Sequence, residues 1–176
     1  PIFKRYNLNF IPFLHEDIDK WRNSLSGGIS YHDNDTNLIL QGGIDDIWFN
    51  LDTNQIVVAD YKAQSTKINP EKNYYLNGTY HQSYKMQMDI YVYILRKMGF
   101  DVADTSYFMV CNGEKTGNRF DATMNFTITL IDYNTDTTWI SKKITKMKSV
   151  LDSNILPDRN PNCENCAYLE QGAKLI

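Results

Sequence analysis

Hydrophobic and polar positions along this chain fall into runs whose spacing predicts its elements. Residues 1–12 are aromatic and irregular. From Phe13 to Leu25, apolar Phe13, Ile18, Trp21 and Leu25 recur near one helical face, while Glu16 and Asp17 come early, where a helix dipole favours acids. The Gly27-Gly28 pair supplies a stop. Three strand-like runs follow: Asn37 to Gln41 leading into Gly42-Gly43, then Ile44 to Phe49, then Gln55 to Lys62. The polar turn Asn50 to Asn54 between the last two marks a hairpin. Residues 63–80 form a polar connection rich in Asn, Lys and Tyr, of a length that usually serves function or mobility. Tyr84 to Met98 is the strongest helix signal. It is apolar around most of its circumference, which implies burial on more than one side, and Gly99 caps it.

Ser106 to Cys111 and the alternating run Asn125 to Tyr133 read as two further strands. Thr138 to Leu151 reads as a last helix, with Ile140, Ile144, Met147 and Leu151 on one face and Lys142, Lys143, Lys146 and Lys148 crowding the remainder. The order α, three β, α, two β, α predicts one α/β or α+β domain over residues 1–176, with a mixed sheet and helices packed on it. Residues 157–176 are expected to be a tail carrying Pro157, Pro161 and a Cys163-Glu164-Asn165-Cys166 pair.

Composition narrows the class. At 176 residues, 42% hydrophobic and 13% aromatic, the chain can bury about 70% of its unfolded surface and hold a core without disulfide or metal staples. Disorder as the dominant state is excluded. No apolar run reaches the roughly 18–20 residues of a membrane span, and no cationic-then-apolar leader opens the chain. A start at Pro1 rather than Met suggests a trimmed or partial chain. Three cysteines are an odd number without repeated spacing, which fits a reducing, cytoplasmic setting better than a secreted disulfide framework. The net charge of −3 gives no global attraction to nucleic acid, so any polyanion must meet a local basic patch or a bound metal.

The chemistry concentrates at the end of Gln55 to Lys62. Side chains alternate along a strand, so Asp60 and Lys62 share a face, about 6–7 Å apart along it. An isolated D-x-K is most simply a structural ion pair. Asp45, however, lies on the preceding strand, and antiparallel neighbours about 5 Å apart let Asp45 approach Asp60. Two carboxylates that close repel unless a divalent cation sits between them, and their oxygens together with a backbone carbonyl at Tyr61 suit Mg²⁺ or Mn²⁺. On the long helix, Gln87 and Tyr91 share a face and are polar in apolar surroundings, which calls for core hydrogen bonding or a role at a site. Asp46 falls on the opposite strand face from Asp45 and reads as structural.

Together, G-x-I-D at 42–45, V-x-D-Y-K at 58–62 and Y-x-x-Q-x-x-x-Y at 84–91 resemble the RecB-type branch of the PD-(D/E)XK nuclease superfamily. The resemblance is strongest over about residues 40–95. It implies a restriction-endonuclease-like core, a central mixed β-sheet flanked by helices in α-βββ-α-β order. It implies a Mg²⁺- or Mn²⁺-dependent deoxyribonuclease, an exonuclease serving recombination, repair or defence, with DNA as substrate and a helicase or recombination partner supplying it. Asp45 and Asp60 would be metal ligands, Lys62 the catalytic lysine, and Gln87 and Tyr91 a motif that contacts nucleic acid or orders the site. Many members also place a metal-binding His on the helix before the first strand, and His15 on the first predicted helix is the candidate. A different class of function is an inactive nuclease-fold module that only binds nucleic acid or acts as a scaffold.

The tail CxxC followed by Tyr168 is also similar to family members, some of which hold an iron–sulfur cluster with four cysteines. This chain has two in the tail and none before Asp45, so a cluster is not expected, and a zinc site lacks its second ligand pair. Cys111, on a predicted strand, reads as a small buried hydrophobe. His32 in a polar loop and His81 before the long helix are expected to be solvated. Lys67 and Lys72 are better placed to meet a phosphate backbone than the lysines of the last helix, whose charged face is most simply solvated.

Overall fold

Short β-branched and aromatic runs become strands, and the one long apolar helix becomes the element they pack against. The computed structural model describes residues 2–115 and 123–174. In chain order these form α1 (Ile2–Arg5), β1 (Phe10–Pro12), α2 (Ile18–Arg22), β2 (Ile29–Asp33), β3 (Leu38–Gly42), β4 (Asp46–Asn50), β5 (Gln55–Gln64), α3 (Lys72–Asn77), α4 (His81–Lys97), β6 (Thr105–Gly113), β7 (Phe126–Asn134), α5 (Ile140–Leu151) and α6 (Glu164–Ala173). The main sheet has the order β1-β4-β5-β6-β7, with β5 and β6 parallel and the other pairs antiparallel. This is a mixed α/β fold with a five-stranded mixed sheet flanked by helices, consistent with a restriction-endonuclease-like core. The chain divides into two compact units, Pro1–Ile140 and Ser141–Ile176. Among the described residues no helix is long and apolar enough to cross a membrane.

The central strand β5 is buried from Ile56 through Asp60 and then alternates between exposed and half-buried positions from Tyr61 onward. Its two faces feed two cores. Ile56 and Val58 join Ile47, Phe108, Val110 and the inner residues of α4 (Met88, Tyr91, Val92, Ile94 and Leu95). Val57 and Ala59 join Trp48 and Leu130 beneath the N-terminal residues Ile2, Phe3, Tyr6 and Leu8. The helix α4 ends where Gly99 takes φ +96°, the left-handed conformation that glycine supplies cheaply at a helix C-terminus.

Several expectations are corrected. The helix read over Phe13–Leu25 shrinks to the five residues of α2. The Phe13 N–H donates to the Ile47 carbonyl at 3.0 Å, prolonging the β1–β4 pairing. At the other end, Asn23 Oδ1 accepts the N–H groups of Leu25 and Ser26 and turns the chain out of the helix, leaving Leu25 98% exposed. The first predicted strand does not belong to the main sheet, since β3 pairs with β2 in a separate two-stranded ribbon. The polar connection after β5 contains α3, the tail contains α6, and α1, β1 and β2 occupy stretches not read as regular structure. Within α5, Met147 and Leu151 are exposed, so the expected apolar face is buried only at Ile140 and Ile144.

An acid in the middle of α4 is satisfied without help from solvent. Asp89 is 4% exposed, and its carboxylate accepts the Tyr133 hydroxyl (3.0 Å), the Asp136 N–H (3.0 Å) and the Trp139 indole N–H (3.1 Å). It ties α4 to β7 and to the chain leaving it. Deleting that acceptor strands three donors, so Asp89→Ala is expected to cost about 2–4 kcal/mol in urea unfolding. A loss below about 0.5 kcal/mol, the usual size of a surface substitution, contradicts this account.

Candidate active site

β5 emerges from the core at its carboxyl end, beside the parallel strand β6, and there its side chains turn polar. Carboxyl ends of strands in α/β sheets are where sites are usually built. The β4–β5 register pairs Asp46 with Ala59, so Asp45, one residue before β4, falls opposite Asp60. Asp45 Oδ2 accepts the Tyr61 N–H at 2.6 Å, which fixes the acid against the strand that carries its partner. Asp46 points to the other face. It accepts the Tyr61 hydroxyl (2.5 Å) and the Trp48 indole N–H (3.0 Å) and pairs with Arg22 (2.5 Å), a structural role; burial first, and Asp46 after it, hold the Tyr61 phenol above its ordinary range.

Asp60 is 2% exposed. Its Oδ2 lies 2.5 Å from Lys62 Nζ, in an ion pair that lacks the directionality of a hydrogen bond, so this buried oxygen has no aligned donor. Burial pushes the Asp60 carboxyl above the usual carboxylate range, Lys62 pulls it back, and the nearby charge of Asp45 adds to the upward push. The ammonium of Lys62 is itself held on several sides. It donates to Gln87 Oε1 at 3.1 Å and lies 4.6 Å from the ring centroid of Tyr84. Gln87 Nε2 in turn donates to the Tyr91 hydroxyl at 2.7 Å. One turn of α4 thus orients the lysine through Gln87 and anchors Gln87 through Tyr91. The Tyr91 ring fits because Gly42 has no side chain: a Cβ there would come within 2.6 Å of Tyr91 Cε1.

The structure therefore brings Asp45, Asp60, Lys62, Gln87 and Tyr91 together. His15 is placed otherwise. It precedes α2 rather than riding on it, its ring stacks on Trp21 at 4.3 Å, and its Nδ1 accepts the Asp17 N–H at 3.1 Å. Among the described residues no group of three or more His, Cys, Asp or Glu side chains is arranged to hold a metal ion. The oxygen set here is two carboxylates, one of them buried with Lys62 as its ion-pair partner, together with main-chain oxygen. In a strand, the carbonyl and N–H of one residue project to the same side, so the Tyr61 carbonyl leaves β5 toward Asp45. Such a hard-oxygen set fits a small divalent cation. His32 is on β2 rather than in a loop and binds Asn37 Oδ1 at 2.8 Å, and His81 opens α4, stacked between Tyr75 (4.1 Å) and Tyr84 (5.3 Å). Tyr84 and Gly42 are the site residues that role-by-role reading of the sequence left unassigned. A cleft of about 280 Å³ walled by Thr66, Lys67, Asn69 and Asn112 lies beyond the end of β5 and does not include the acidic pair.

A family model for the PD-(D/E)XK nuclease superfamily matches residues 4–171. The chain belongs to the PD-(D/E)XK nuclease superfamily. Membership supports a nuclease, a hydrolase acting on nucleic acid, in a superfamily that usually employs Mg²⁺ or Mn²⁺. No significant match was found among curated proteins or among solved structures. In this PD-(D/E)XK protein the acids and the lysine come from β5 and its hairpin partner, and the polar residues that orient the lysine come from α4.

The raised pKa of Asp60 has a sign that can be measured without metal. At low pH the carboxyl is protonated in both folded and unfolded chains and carries no penalty. As pH rises past the unfolded value near 3.9, the unfolded chain ionises more readily than the folded one, and the native state loses stability until the folded pKa is passed. In EDTA, the melting temperature of the wild type relative to Asp60→Asn is expected to fall as pH rises from about 4 toward the raised folded pKa. A relative rise over that interval contradicts the burial-dominated environment.

Proposed function

We propose that this protein is a Mg²⁺- or Mn²⁺-dependent deoxyribonuclease of the RecB-type branch, an exonuclease in recombination, repair or defence. The observation that carries the reading is the buried, donor-poor carboxylate of Asp60, opposite Asp45 and 2.5 Å from Lys62. Asp45, Asp60 and the Tyr61 carbonyl would hold the cation; His15, already stacked on Trp21, is assigned to packing. Bound there, the ion would lower the pKa of a coordinated water and neutralise charge developing on the scissile phosphate. The chain's own residues do the positioning. Asp60 sets the ammonium of Lys62 beside the ion site, and Gln87, braced by Tyr91, keeps it from swinging away. From there Lys62 Nζ can donate to the attacking water or to a phosphate oxygen as its charge grows.

Tyr74 on α3 and Tyr80 just before α4 are 82% and 87% exposed, rings free to stack on unpaired bases. The net charge of −3 makes a partner that delivers DNA, such as a helicase, a fitting companion. The family match spans both compact units, which supports treating residues 1–176 as one nuclease domain.

Two readouts test the proposal. Labelled single- and double-stranded DNA should be cut with Mg²⁺ or Mn²⁺ and not with EDTA, and Asp45→Asn, Asp60→Asn and Lys62→Ala should each lose at least about 100-fold in rate. Independently, Mn²⁺ at about 100 times its dissociation constant should stabilise the wild type by about 2.7 kcal/mol, visible as a rise in melting temperature that both acid variants lack. DNA bound but uncut by the wild type under every metal condition supports the inactive binding module instead. Cutting that survives Asp60→Asn and Lys62→Ala together overturns the assigned site.

A further inference from the structure

The second compact unit carries a cysteine pair that the nuclease site does not use. Cys163 occupies the N-cap of the ten-residue helix α6, and its Sγ accepts the Cys166 N–H at 3.4 Å. A neutral thiol is a weak acceptor and a poor N-cap compared with Ser, Thr, Asp or Asn, whereas a thiolate is a strong one. The position therefore favours Cys163 as its anion, facing the unpaired N–H groups and the positive end of the helix. The Cys166 N–H, and after it the neighbouring Cys166 side chain, hold Cys163 below the usual thiol range, and the Cys163 side chain in turn pushes Cys166 above it. Both sulfurs are on half-exposed residues, neither is in a disulfide, and the remaining cysteine, Cys111, lies on β6.

We propose that Cys163 and Cys166 form a redox-active dithiol that exchanges with low-molecular-weight disulfides, Cys163 attacking and Cys166 resolving. The Cys163 thiolate attacks one sulfur of a disulfide RSSR, forming a mixed disulfide on Cys163 and releasing RS⁻. Cys166 then gives up its proton and attacks the Cys163 sulfur, closing the Cys163–Cys166 disulfide and releasing a second RS⁻. Two protein thiols are oxidised, one external disulfide is reduced to two thiols, and the protons end on the released thiolates. The geometry of the pair assigns the order: Cys163 sits at the N-cap, where the helix end and the Cys166 N–H favour its thiolate, and Cys166 lies one turn on, placed to resolve the mixed disulfide.

The test uses the full chain, with Cys111→Ser as background, and glutathione as the probe. In reduced protein at neutral pH, iodoacetamide is expected to modify Cys163 at least about tenfold faster than Cys166. Oxidised glutathione should remove two hydrogens from the peptide holding both cysteines, and dithiothreitol should restore them. Cys166→Ser should trap one glutathione on Cys163, and Cys163→Ser should leave Cys166 largely unmodified over the same time. Equal alkylation rates, or a wild-type glutathione adduct that persists without closing to the internal disulfide, overturn the proposal. The alkylation and oxidation arms need no substitution within the pair, so misfolding of either Ser variant does not blunt them.

Discussion

The arrangement of this protein turns on one costly act, the burial of a carboxylate at the carboxyl end of β5. A lone buried charge would cost several kcal/mol even after local relaxation. Asp60 is tolerated because Lys62 approaches from two residues along the same face, and Lys62 is tolerated because Gln87 and the face of Tyr84 meet it in turn. Each compensation recruits a further element. Tyr91 braces Gln87, and Gly42 leaves the space that Tyr91 fills. The G-x-I-D stretch and the helical Q-x-x-x-Y are thus parts of one packing problem whose centre is Asp60. The compensation is incomplete, since one Asp60 oxygen has no aligned donor and Asp45 adds like charge beside it. The proposed cation would answer that imbalance.

Much of this was legible because the relevant contacts are set by strong local rules. The β4–β5 hairpin follows from two short apolar runs around a polar turn, and its register alone puts Asp45 across from Asp60. Strand alternation puts Asp60 and Lys62 on one face, and helical spacing puts Gln87 beside Tyr91. Other features were illegible for equally definite reasons. The apolar spacing over Phe13–Leu25 is real, but Phe13 is drawn into pairing with Ile47 and Asn23 folds the chain back, so tertiary and side-chain hydrogen bonds override the helical period. The partner of β3, Ile29–Asp33, places Ile29 and Tyr31 at alternate positions, a short strand signal set between the Gly27-Gly28 pair and the polar stretch Asn34 to Asn37. His15 had a suitable chemistry and a plausible neighbourhood in the sequence, yet ring stacking on Trp21 claims it. Tyr84 and Gly42 act only through contacts made after α4 docks, though the tyrosine three residues before Gln87 and the glycine pair before Asp45 were signals available to reading. Asp89 was visible too, an acid set among apolar residues of α4, and its three donors all come from beyond β6.

The two ends of the chain divide the chemistry. The first unit concentrates hard oxygen donors and an ammonium at the edge of a core, suited to a divalent cation and a phosphate. The second unit offers soft sulfur at a helix N-terminus, suited to thiol exchange. The first arrangement lies within the residues matched to the PD-(D/E)XK superfamily. The second stands on the local geometry of Cys163 and Cys166.

The central claim is that Asp45 and Asp60 face a common point that takes a divalent ion. Anomalous diffraction from crystals grown with Mn²⁺ tests it most directly. The account predicts one strong anomalous peak about 2.0–2.6 Å from a carboxylate oxygen of each acid, with the Tyr61 carbonyl in the same shell. A peak bound by only one of the two acids, or density showing both carboxylates turned away from each other at saturating Mn²⁺, contradicts it.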